Sequence, residues 1–438
     1  MADRHGYSVG YTTNASSLSD QVKRFKPRHF RELKEKARMG QMFAPQHGEG
    51  ENPAHETLAN KCIRAVVAGF RERPTHEELP AENLRDVTSQ LPLDLDPAIG
   101  ALFVFDENYW KARCIKAFGW PNCRIAEHGA TWKQLFFERH VQERLEAYSS
   151  QDEPFEGLLA HLRACQDYVF ALRATQLLAH PDMEEIFMCF PNLNHLILEY
   201  GVAKIGLQYE RMLFGMKISD AASLAKAVAS TETLTTCILA SNLIDDDLLR
   251  MLMTGLIKNS TITELDLSHN KITNHGARLL SKLLHDKSVI VSLNLCDNQI
   301  HAEGGRYLGR ALRANEALTD LNLRLNRLTD DGGRMLLEGL RDNTSLSYLN
   351  LSGNSVGQET VTALTILLRE PEKCLVAMDL SCNELQDHEV RMLKTAIEQN
   401  STLTSLDLRM NDITEDLEEL EMIEKMIRNN ELAGRDLV

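Results

Sequence analysis

The second half of the chain repeats one pattern of apolar and polar residues at a nearly constant interval. The segment ITELDLSHNKI at 262–272 shows the pattern, and further copies begin at Ile290, Leu318, Leu346, Leu375 and Leu403. One asparagine recurs through the series, and Asn242, Asn270, Asn298, Asn326, Asn354, Asn383 and Asn411 stand 28, 28, 28, 28, 29 and 28 residues apart. Such a period predicts a solenoid of leucine-rich repeats, each of which buries its apolar face only by stacking on its neighbours.

Two periodicities inside each repeat predict a strand followed by a helix. In Leu265-Asp266-Leu267, strand alternation sends both leucines inward and the aspartate outward. Helical spacing follows in Ala277, Leu280 and Leu284. We therefore expect an α/β fold of the ribonuclease-inhibitor-like subclass, with a concave parallel sheet and convex helices. The recurring asparagine should close the turn by bonding backbone groups through its side-chain amide.

Composition changes along the chain predict four regions. Residues 1–53 form a basic arm and linker, and residues 54–165 form a helical domain that contains all three tryptophans. One helical stripe there runs Leu58, Cys62, Val66 and Phe70. Residues 166–416 form the solenoid, and residues 417–438 form an acidic helix that should cap its last repeat. An insertion at about 201–220 is a candidate contact loop, with Tyr209, Met212, Leu213 and Phe214.

Charge is unevenly distributed between the arm and the remainder of the chain. Residues 1–45 carry nine Lys or Arg against four Asp or Glu, whereas the whole chain has a net charge of −15. The basic cluster consists of Lys23, Arg24, Lys26, Arg28, Arg31, Lys34, Lys36 and Arg38. One interpretation is a solvated arm, and the other is docking onto an acidic surface such as a microtubule. The acidity of the remainder argues against general nucleic-acid binding.

The outward positions of the strands define a second candidate contact surface. Five acids against two arginines make this concave face mildly acidic, which suits a basic or mixed protein surface. The alternative is a sheet face that is merely solvated. The residues that we single out are Glu264, Asp266, Asp320, Asn322, Arg324, Tyr348, Asp379, Asp407 and Arg409.

Motifs that would carry chemistry have simpler explanations in the repeat. Gly353-Asn354-Ser355-Val356-Gly357 spells the G-x-S-x-G pattern of serine hydrolases, but Asn354 and Val356 are framework positions. The pairs Gly304-Gly305 and Gly332-Gly333 recur at the repeat period and are interpreted as turn glycines. Cys114, Cys123, His128 and His140 match no common zinc spacing. We predict no catalytic residues, no cofactor and no metal.

The compartment follows from cysteine usage and hydropathy. The nine cysteines are scattered without a CxxC pair and are interpreted as reduced thiols of a cytosolic protein. The N-terminus has no apolar signal region, and no apolar stretch approaches the roughly 18 residues that a membrane helix requires. We expect neither secretion nor a membrane span.

The aromatic first half carries a family resemblance. ENYWKARC at 107–114, WPNC at 120–123 and HGATWKQLFFERH at 128–140 resemble the t-complex-associated testis-expressed family. LNLRLNRLTDDGG at 321–333 is also similar to the repeats of that family. Its members are the leucine-rich-repeat subunit five of the nexin-dynein regulatory complex in ciliary and flagellar axonemes.

The resemblance implies a function in the axonemal cytoskeleton. It implies a non-enzymatic scaffold in the link between outer doublets, which regulates dynein-driven motility through contacts with the other subunits of the complex. The basic arm is then a candidate contact with tubulin. Two alternatives stay open: a GTPase-activating repeat protein of the Ran type, and an actin-capping protein like tropomodulin.

Overall fold

The computed structural model describes residues 57–74, 79–202, 214–285, 287–370, 375–414 and 417–435. The chain divides into two compact units, 1–122 and 123–438. The basic arm and three of the four predicted insertion residues, Tyr209, Met212 and Leu213, lie outside the described residues.

The first unit is helical. Its described helices are α1 (Leu58–Gly69), α2 (Ala81–Gln90), α3 (Pro97–Phe103) and α4 (Glu107–Phe118), followed by a 3₁₀ turn at Trp120–Asn122. The predicted stripe on α1 is wrong in part, because Leu58 and Cys62 are exposed whereas Ile63 and Phe70 are buried.

An indole ring forms the centre of this unit. Trp110 is completely buried and donates its ring N–H to the carbonyl of Val104 at 2.9 Å. Gly100 makes room for the ring, since an added Cβ would lie 3.0 Å from it. The hydroxyl of Tyr109 donates a hydrogen bond to the carbonyl of Pro92 at 2.9 Å. Both aromatic side chains thus pair their polar atoms where burial would otherwise cost free energy.

The second unit begins with a 3₁₀ turn at Ile125–Glu127 and two helices, α5 (Trp132–Glu146) and α6 (Phe155–Arg163), which lie in the predicted helical domain of residues 54–165. A short 3₁₀ turn at Gln166–Tyr168 leads into the repeats. The described strands are β1 (Ala171–Ala174), β2 (His195–Leu198), β3 (Thr236–Ile238), β4 (Glu264–Asp266), β5 (Ser292–Asn294), β6 (Asp320–Asn322), β7 (Tyr348–Asn350), β8 (Ala377–Asp379) and β9 (Ser405–Asp407).

Helices alternate with these strands. They are α7 (Met183–Met188), α8 (Ile218–Ser230), α9 (Asp246–Leu256), α10 (Asn274–Leu283), α11 (Ala302–Leu312), α12 (Thr329–Gly339), α13 (Gln358–Leu368), α14 (Asp387–Ile397) and α15 (Glu418–Arg435). A 3₁₀ turn at Leu340–Asp342 follows α12.

All the described strands of the repeats pair in sequence order in one parallel sheet. The register places each residue opposite its equivalent in the next repeat, as Leu265 lies opposite Leu293. Leu265 and Leu267 are buried, and Asp266 between them is half-buried on the outer face. The predicted fold class, a leucine-rich-repeat solenoid, is confirmed, because the period-2 alternation buries one face of the strands from β1 to β8.

The recurring asparagines form a buried ladder. Asn298 donates its side-chain amide to the carbonyls of Leu267, Leu295 and Cys296 at 3.0, 3.1 and 3.3 Å, and its oxygen accepts the N–H of Ile272 at 3.0 Å. The other members repeat this pattern, for example at Asn270 and Asn326. The predicted role of this side chain is confirmed. Each amide joins its own turn to the preceding repeat, so an apolar replacement would leave buried backbone groups unpaired.

A second asparagine ladder lies on the convex side, just after the ends of the helices for its first four members and within α15 for its last, and the sequence reading missed it. Its members are Asn259, Asn315, Asn343, Asn400 and Asn430. Asn343, for example, donates to the carbonyls of Leu312 and Asn315 at 2.8 Å each. The first four members of this ladder close the turn from helix back to strand, and Asn430 binds α15 to the last of these turns. The irregular spacing of the ladder, with Lys287 at one position, concealed it.

The helix starts are also linked across repeats. Asp330 at the start of α12 accepts the N–H groups of Gly357, Glu359 and Thr360, each at 2.8 Å, and so caps the next helix, α13. Burial alone would raise the pKa of Asp330, but hydrogen bonds from Thr360, Glu359 and Gly357 outweigh burial and hold that pKa below its ordinary value.

The interpretation of the glycine pairs as turn residues is wrong. Gly304 and Gly305 lie in the first turn of α11, and Gly332 and Gly333 lie in that of α12. An added Cβ at Gly304 would lie 2.9 Å from Oδ1 of Asn274, the oxygen that caps α11. These glycines therefore permit close approach between successive helices rather than a turn conformation.

Helix α5 covers the edge of the sheet at β1. Glu138 is buried, and its Oε1 accepts the N–H groups of Phe170 and Ala171 at 3.0 and 2.9 Å. Farther along the same helix, Glu146 accepts the N–H of Thr175 at 2.8 Å. Two carboxylates thus take acceptor positions that a preceding strand would otherwise supply, which protects the sheet edge.

The last helix, α15, continues the pattern of the convex helices. Asn430 on α15 donates to the carbonyls of Asn400 and Leu403 at 3.0 Å each. The framework leucines of this repeat, Leu406 and Leu408, are half-buried, whereas those of earlier repeats are buried. The predicted domain limits and the predicted capping role of this helix stay predictions.

Candidate functional site: the concave face

The nine residues predicted for the concave face all lie on β4 to β9 or directly after them. The sheet register brings Asp266, Asn322, Asp379 and Asp407 into one row, together with the equivalent residues of β5 and β7. Glu264, Asp320 and Tyr348 lie in the neighbouring row, and Arg324 and Arg409 follow the strands. The structure thus places these residues on one continuous face, as the alternation predicted. Whether that face is a contact surface stays a prediction.

The row of aspartates and asparagines has a structural role that the sequence reading missed. A side-chain oxygen of each accepts the backbone N–H two residues later, at 2.8 to 3.1 Å. The residues are Asp266, Asn294, Asn322, Asn350, Asp379 and Asp407. Such a local bond favours the turn that ends each strand. The Asx type at this position therefore carries no information about a partner by itself.

Neighbouring side chains pair the remaining oxygens of several acids. Asn294 donates to Asp266 at 2.9 Å, and Asn350 donates to Asp379 at 3.0 Å. Arg409 binds Asp407 through both carboxylate oxygens, and this bond lowers the pKa of Asp407. The negative charge of the face consequently resides mainly on Glu264, Asp266, Asp320 and Asp379.

The face continues onto β1, β2 and β3 with a different chemistry. In register with Asp266 lie Ile238, Ile197 and Arg173, so the acidic row becomes apolar and then cationic. Burial, and then the charge of Arg173, lower the pKa of His195 in the neighbouring row. The predicted solenoid, residues 166–416, includes these strands, but the predicted contact residues begin at Glu264 and so omit this part of the face. Counting back 28 residues from Glu264 reaches Thr236 and would have located β3.

Most of the predicted insertion and all of the basic arm lie outside the described residues. Phe214 is half-buried and is the only predicted insertion residue that the structure describes. The eight basic arm residues lie in 1–56, outside the described ranges. Their proposed contacts stay predictions.

The residues considered for chemistry have structural partners. Asn354 of the G-x-S-x-G segment is a member of the buried ladder, and Ser355 is an exposed turn residue with φ of 53°. His128 contacts Glu138 through Nδ1 at 2.5 Å, and His140 faces His161 with their Nε2 atoms 2.8 Å apart. Within the part of the chain that the structure describes, no group of three or more His, Cys, Asp or Glu side chains could hold a metal ion. Among the same residues, no helix has both the length and the apolar character that crossing a membrane requires.

Comparison with known proteins supports the repeat class and the family resemblance. A family profile described as Leucine Rich repeat matches residues 258–281, 314–337, 342–364 and 399–416. The Chlamydomonas reinhardtii protein named dynein regulatory complex subunit 5 is 40% identical over 195 residues, which cover 44% of this chain and 50% of that protein. The Mus musculus protein of the same name is 33% identical over 228 residues, which cover 46% of this chain and 45% of that protein.

These matches confirm the resemblance inferred from the residues. The chain spans about half the length of the curated relatives it matches. Among solved structures, an internalin from Listeria monocytogenes is similar with a TM-score of 0.37 and 19% identity, over 61% of this chain and 68% of that chain.

Proposed function

We propose that this chain, a leucine-rich-repeat relative of dynein regulatory complex subunit 5, is a scaffold subunit of that complex in the axoneme of a cilium or flagellum. The observation that carries the proposal is the 40% identity over 195 residues to the Chlamydomonas reinhardtii relative. In this role the chain joins other subunits of the linker between outer doublets and helps to regulate dynein-driven motility. Its place of action is the cytoskeleton of the cilium.

The architecture supports binding rather than catalysis as the mode of action. A continuous sheet face from β1 to β9 offers side chains at regular spacing, and asparagine ladders and helix caps tie each repeat to the next. Stability in such a solenoid is distributed over neighbouring interfaces. A linker that transmits force between doublets benefits from this rigidity, and no chemical step is needed for the role.

Charge suggests which surfaces meet which partners. The acidic part of the concave face, with Glu264, Asp266, Asp320 and Asp379, suits a basic or mixed surface of another subunit. The basic arm suits the acidic surface of a doublet microtubule. We include direct contact between the arm and tubulin in the proposal.

The first experiment expresses the tagged chain in a ciliated cell and extracts demembranated axonemes with increasing salt. We expect the chain to remain in the axoneme and to be released together with the other linker subunits, identified by mass spectrometry. Loss of the chain with the soluble fraction, or its absence from the purified linker complex, would contradict the proposal.

A pair of charge-matched variants tests the arm. Lys23→Glu with Lys26→Glu should lower the salt concentration that releases the chain, because exposed charge contacts are screened by salt. The control, Lys258→Glu with Arg310→Glu, makes the same charge change at exposed positions on the convex side. Equal release of both variants would remove the arm from the proposal and leave the scaffold role intact.

The comparisons do not favour the two alternative functions, and each has a direct test. A GTPase-activating protein would accelerate hydrolysis by small GTPases in a panel, with excess chain present. An actin-capping protein would sediment with actin filaments and not with microtubules. Either positive result, together with loss from axonemes, would replace the scaffold proposal.

A further inference from the structure

A ridge runs along one edge of the repeat sheet, formed by the residue directly before each ladder asparagine. We call this ridge the rim. Its members are Ser241, His269, Asp297, Leu325, Gly353, Cys382 and Met410. Backbone hydrogen bonds connect the rim to the next repeat: the N–H of Leu325 donates to Ser352 at 2.8 Å, and that of Gly353 donates to Ser381 at 3.0 Å. The rim is therefore continuous from β3 to β9.

Every rim residue has a left-handed backbone, with φ between 51° and 66°. This conformation is easy for glycine and tolerated by asparagine and aspartate, but it is unfavourable for bulky side chains. Asp297 and Gly353 fit the requirement, whereas Leu325 and Met410 do not. A local conflict of this kind often marks a position kept for function rather than for stability.

The two halves of the rim differ in chemistry. In the first half, Nδ1 of His269 lies 2.9 Å from Oδ2 of Asp297 in an exposed pair. In the second half Leu325 is 44% exposed and Met410 is 79% exposed. The apolar half comprises Leu325, Gly353, Cys382 and Met410, and it follows consecutive strands from β6 to β9.

Glycine shapes the apolar half. An added Cβ at Gly353 would lie 2.8 Å from Cδ2 of Leu325, so the leucine side chain extends over the next repeat. The Leu325 side chain therefore lies beside Gly353, and exposed Cys382 and Met410 follow at the equivalent positions of the next two repeats, so the four residues form one apolar strip. Isolated exposed apolar residues are common on proteins, but a continuous strip marks an interaction site.

Charge beside the strip indicates the chemistry of the partner. Arg324 precedes Leu325 in the chain and is exposed. Among described side chains, none forms an ion pair or hydrogen bond with the Arg324 guanidinium. Arg409 beside Met410 is bound to Asp407 instead. An arginine that no described side chain pairs, at the border of an apolar strip, fits a carboxylate that accompanies apolar residues on a partner.

We propose that the apolar half of the rim docks an amphipathic α-helix of a partner subunit. The apolar stripe of that helix covers Leu325 and Met410, and one of its carboxylates pairs with Arg324. A strand is a poorer fit, because the backbone N–H groups of Leu325, Gly353 and Cys382 already donate to carbonyls of the next repeat. A partner must therefore bind side chains, which a helix presents in a single stripe.

The geometry predicts the spacing of contacts on the partner. Leu325 and Met410 lie three strand intervals apart, which at about 4.8 Å per strand is about 14 Å. A helix rises about 1.5 Å per residue, so its contacts with the two sites should lie about nine to ten residues apart. An extended segment would cover the same distance in about four residues.

The docking proposal rests on the proposed function, because it places the partner in the same complex. Its first test compares two double variants. One carries Leu325→Asn and Met410→Asn in the apolar half, and the control carries Ser241→Asn and His269→Asn in the polar half. Asparagine suits the left-handed backbone, so we expect the thermal midpoint of the first variant to be no lower than that of the unchanged chain. We expect it to bind axonemes about tenfold less tightly, as removal of central apolar contacts does in other interfaces. The control should be retained normally.

These outcomes separate the two proposals. If the unchanged chain is lost from axonemes, the proposed function fails. If the unchanged chain and the Leu325→Asn, Met410→Asn variant are retained equally, the rim proposal fails while the proposed function stands. A fall in thermal midpoint in the variant would assign Leu325 and Met410 a structural role and would also overturn the rim proposal.

A second test places a photo-crosslinking amino acid at position 325 or 410 in the full chain, with position 241 as the control. The expected result is cross-links from both rim positions to one segment of one other subunit, about nine to ten residues apart and near an acidic residue. Cross-links to a second copy of this chain, contacts about four residues apart, or no cross-links at all would overturn the proposal.

Discussion

Replacement of Asn298 by alanine should destabilise the solenoid more than replacement of its half-buried neighbour Gln299 by alanine. The Asn298 side chain makes four hydrogen bonds within a buried site. Alanine removes all four and adds no group that could replace them. The cost depends on which backbone groups keep another partner.

The three carbonyls that accept from Asn298 each keep one other donor. Leu267 still accepts from Asn270 at 2.9 Å, and Leu295 still accepts from Asn326 at 2.8 Å. Cys296 still accepts the N–H of His269 at 2.8 Å. Only the N–H of Ile272 loses its acceptor. An unpaired buried N–H costs about 1–3 kcal/mol and each lost secondary bond roughly 0.5 kcal/mol, so we expect about 3 kcal/mol in total.

Hydrogen exchange followed by mass spectrometry measures this effect locally. A loss of about 3 kcal/mol should accelerate exchange in the segment around Ile272 on the order of 100-fold, since about 1.4 kcal/mol corresponds to a factor of ten. Asn298→Asp should cost at least as much near neutral pH, because a carboxylate would face three carbonyl oxygens. The control is Gln299→Ala, a change of the half-buried residue directly after the ladder asparagine. Equal exchange in Asn298→Ala and Gln299→Ala would refute the reasoning.

Three further predictions follow from described contacts. Glu138→Ala should expose the edge of the sheet and accelerate hydrogen exchange at Phe170 and Ala171. Glu143→Ala on the same helix should leave that exchange unchanged. Unchanged exchange in both variants would contradict the protection of the sheet edge by α5. The pKa of the Asp330 carboxylate is lower in the folded chain than in the unfolded chain, where it is about 3.9. Its contribution to stability should therefore be complete above about pH 3.9, and it should be lost as the pH falls through the lower folded pKa. Asp330→Asn should remove this acid-range dependence from exchange at the start of α13, and persistence of the dependence would assign it to another group. Exposed Cys382 should react with iodoacetamide in the folded chain. Burial raises the pKa of Cys237 to about 12 and should protect this thiol until the chain unfolds. Equal labelling rates of the two cysteines would contradict that difference.

The repeat architecture, and the face of the sheet on which each strand side chain lies, could be predicted from the amino-acid pattern alone. The 28 to 29 residue period predicts the solenoid, and the alternation in segments such as Leu265-Asp266-Leu267 places alternate residues on opposite faces of the sheet. The chemical role of the recurring asparagine also followed from sequence, since a turn leaves backbone groups for an amide to bind. Each of these features depends on residues close in sequence, or recurs in enough copies to be recognised without the structure.

Tertiary structure decided the features that depend on contacts between residues distant in sequence. Asp330 caps a helix about 28 residues later, and Glu138 binds the backbone at Ala171, so neither role is visible in the adjacent sequence. The glycine pairs are not turn residues, because glycine is required there by the approach of the neighbouring helix. The sequence predicts the concave aspartates as contact residues, whereas in the structure their carboxylates also close turns and bind neighbouring amides. The sequence gives each residue its type and its face, whereas the packing of successive repeats decides which of its polar atoms remain free to bind another molecule.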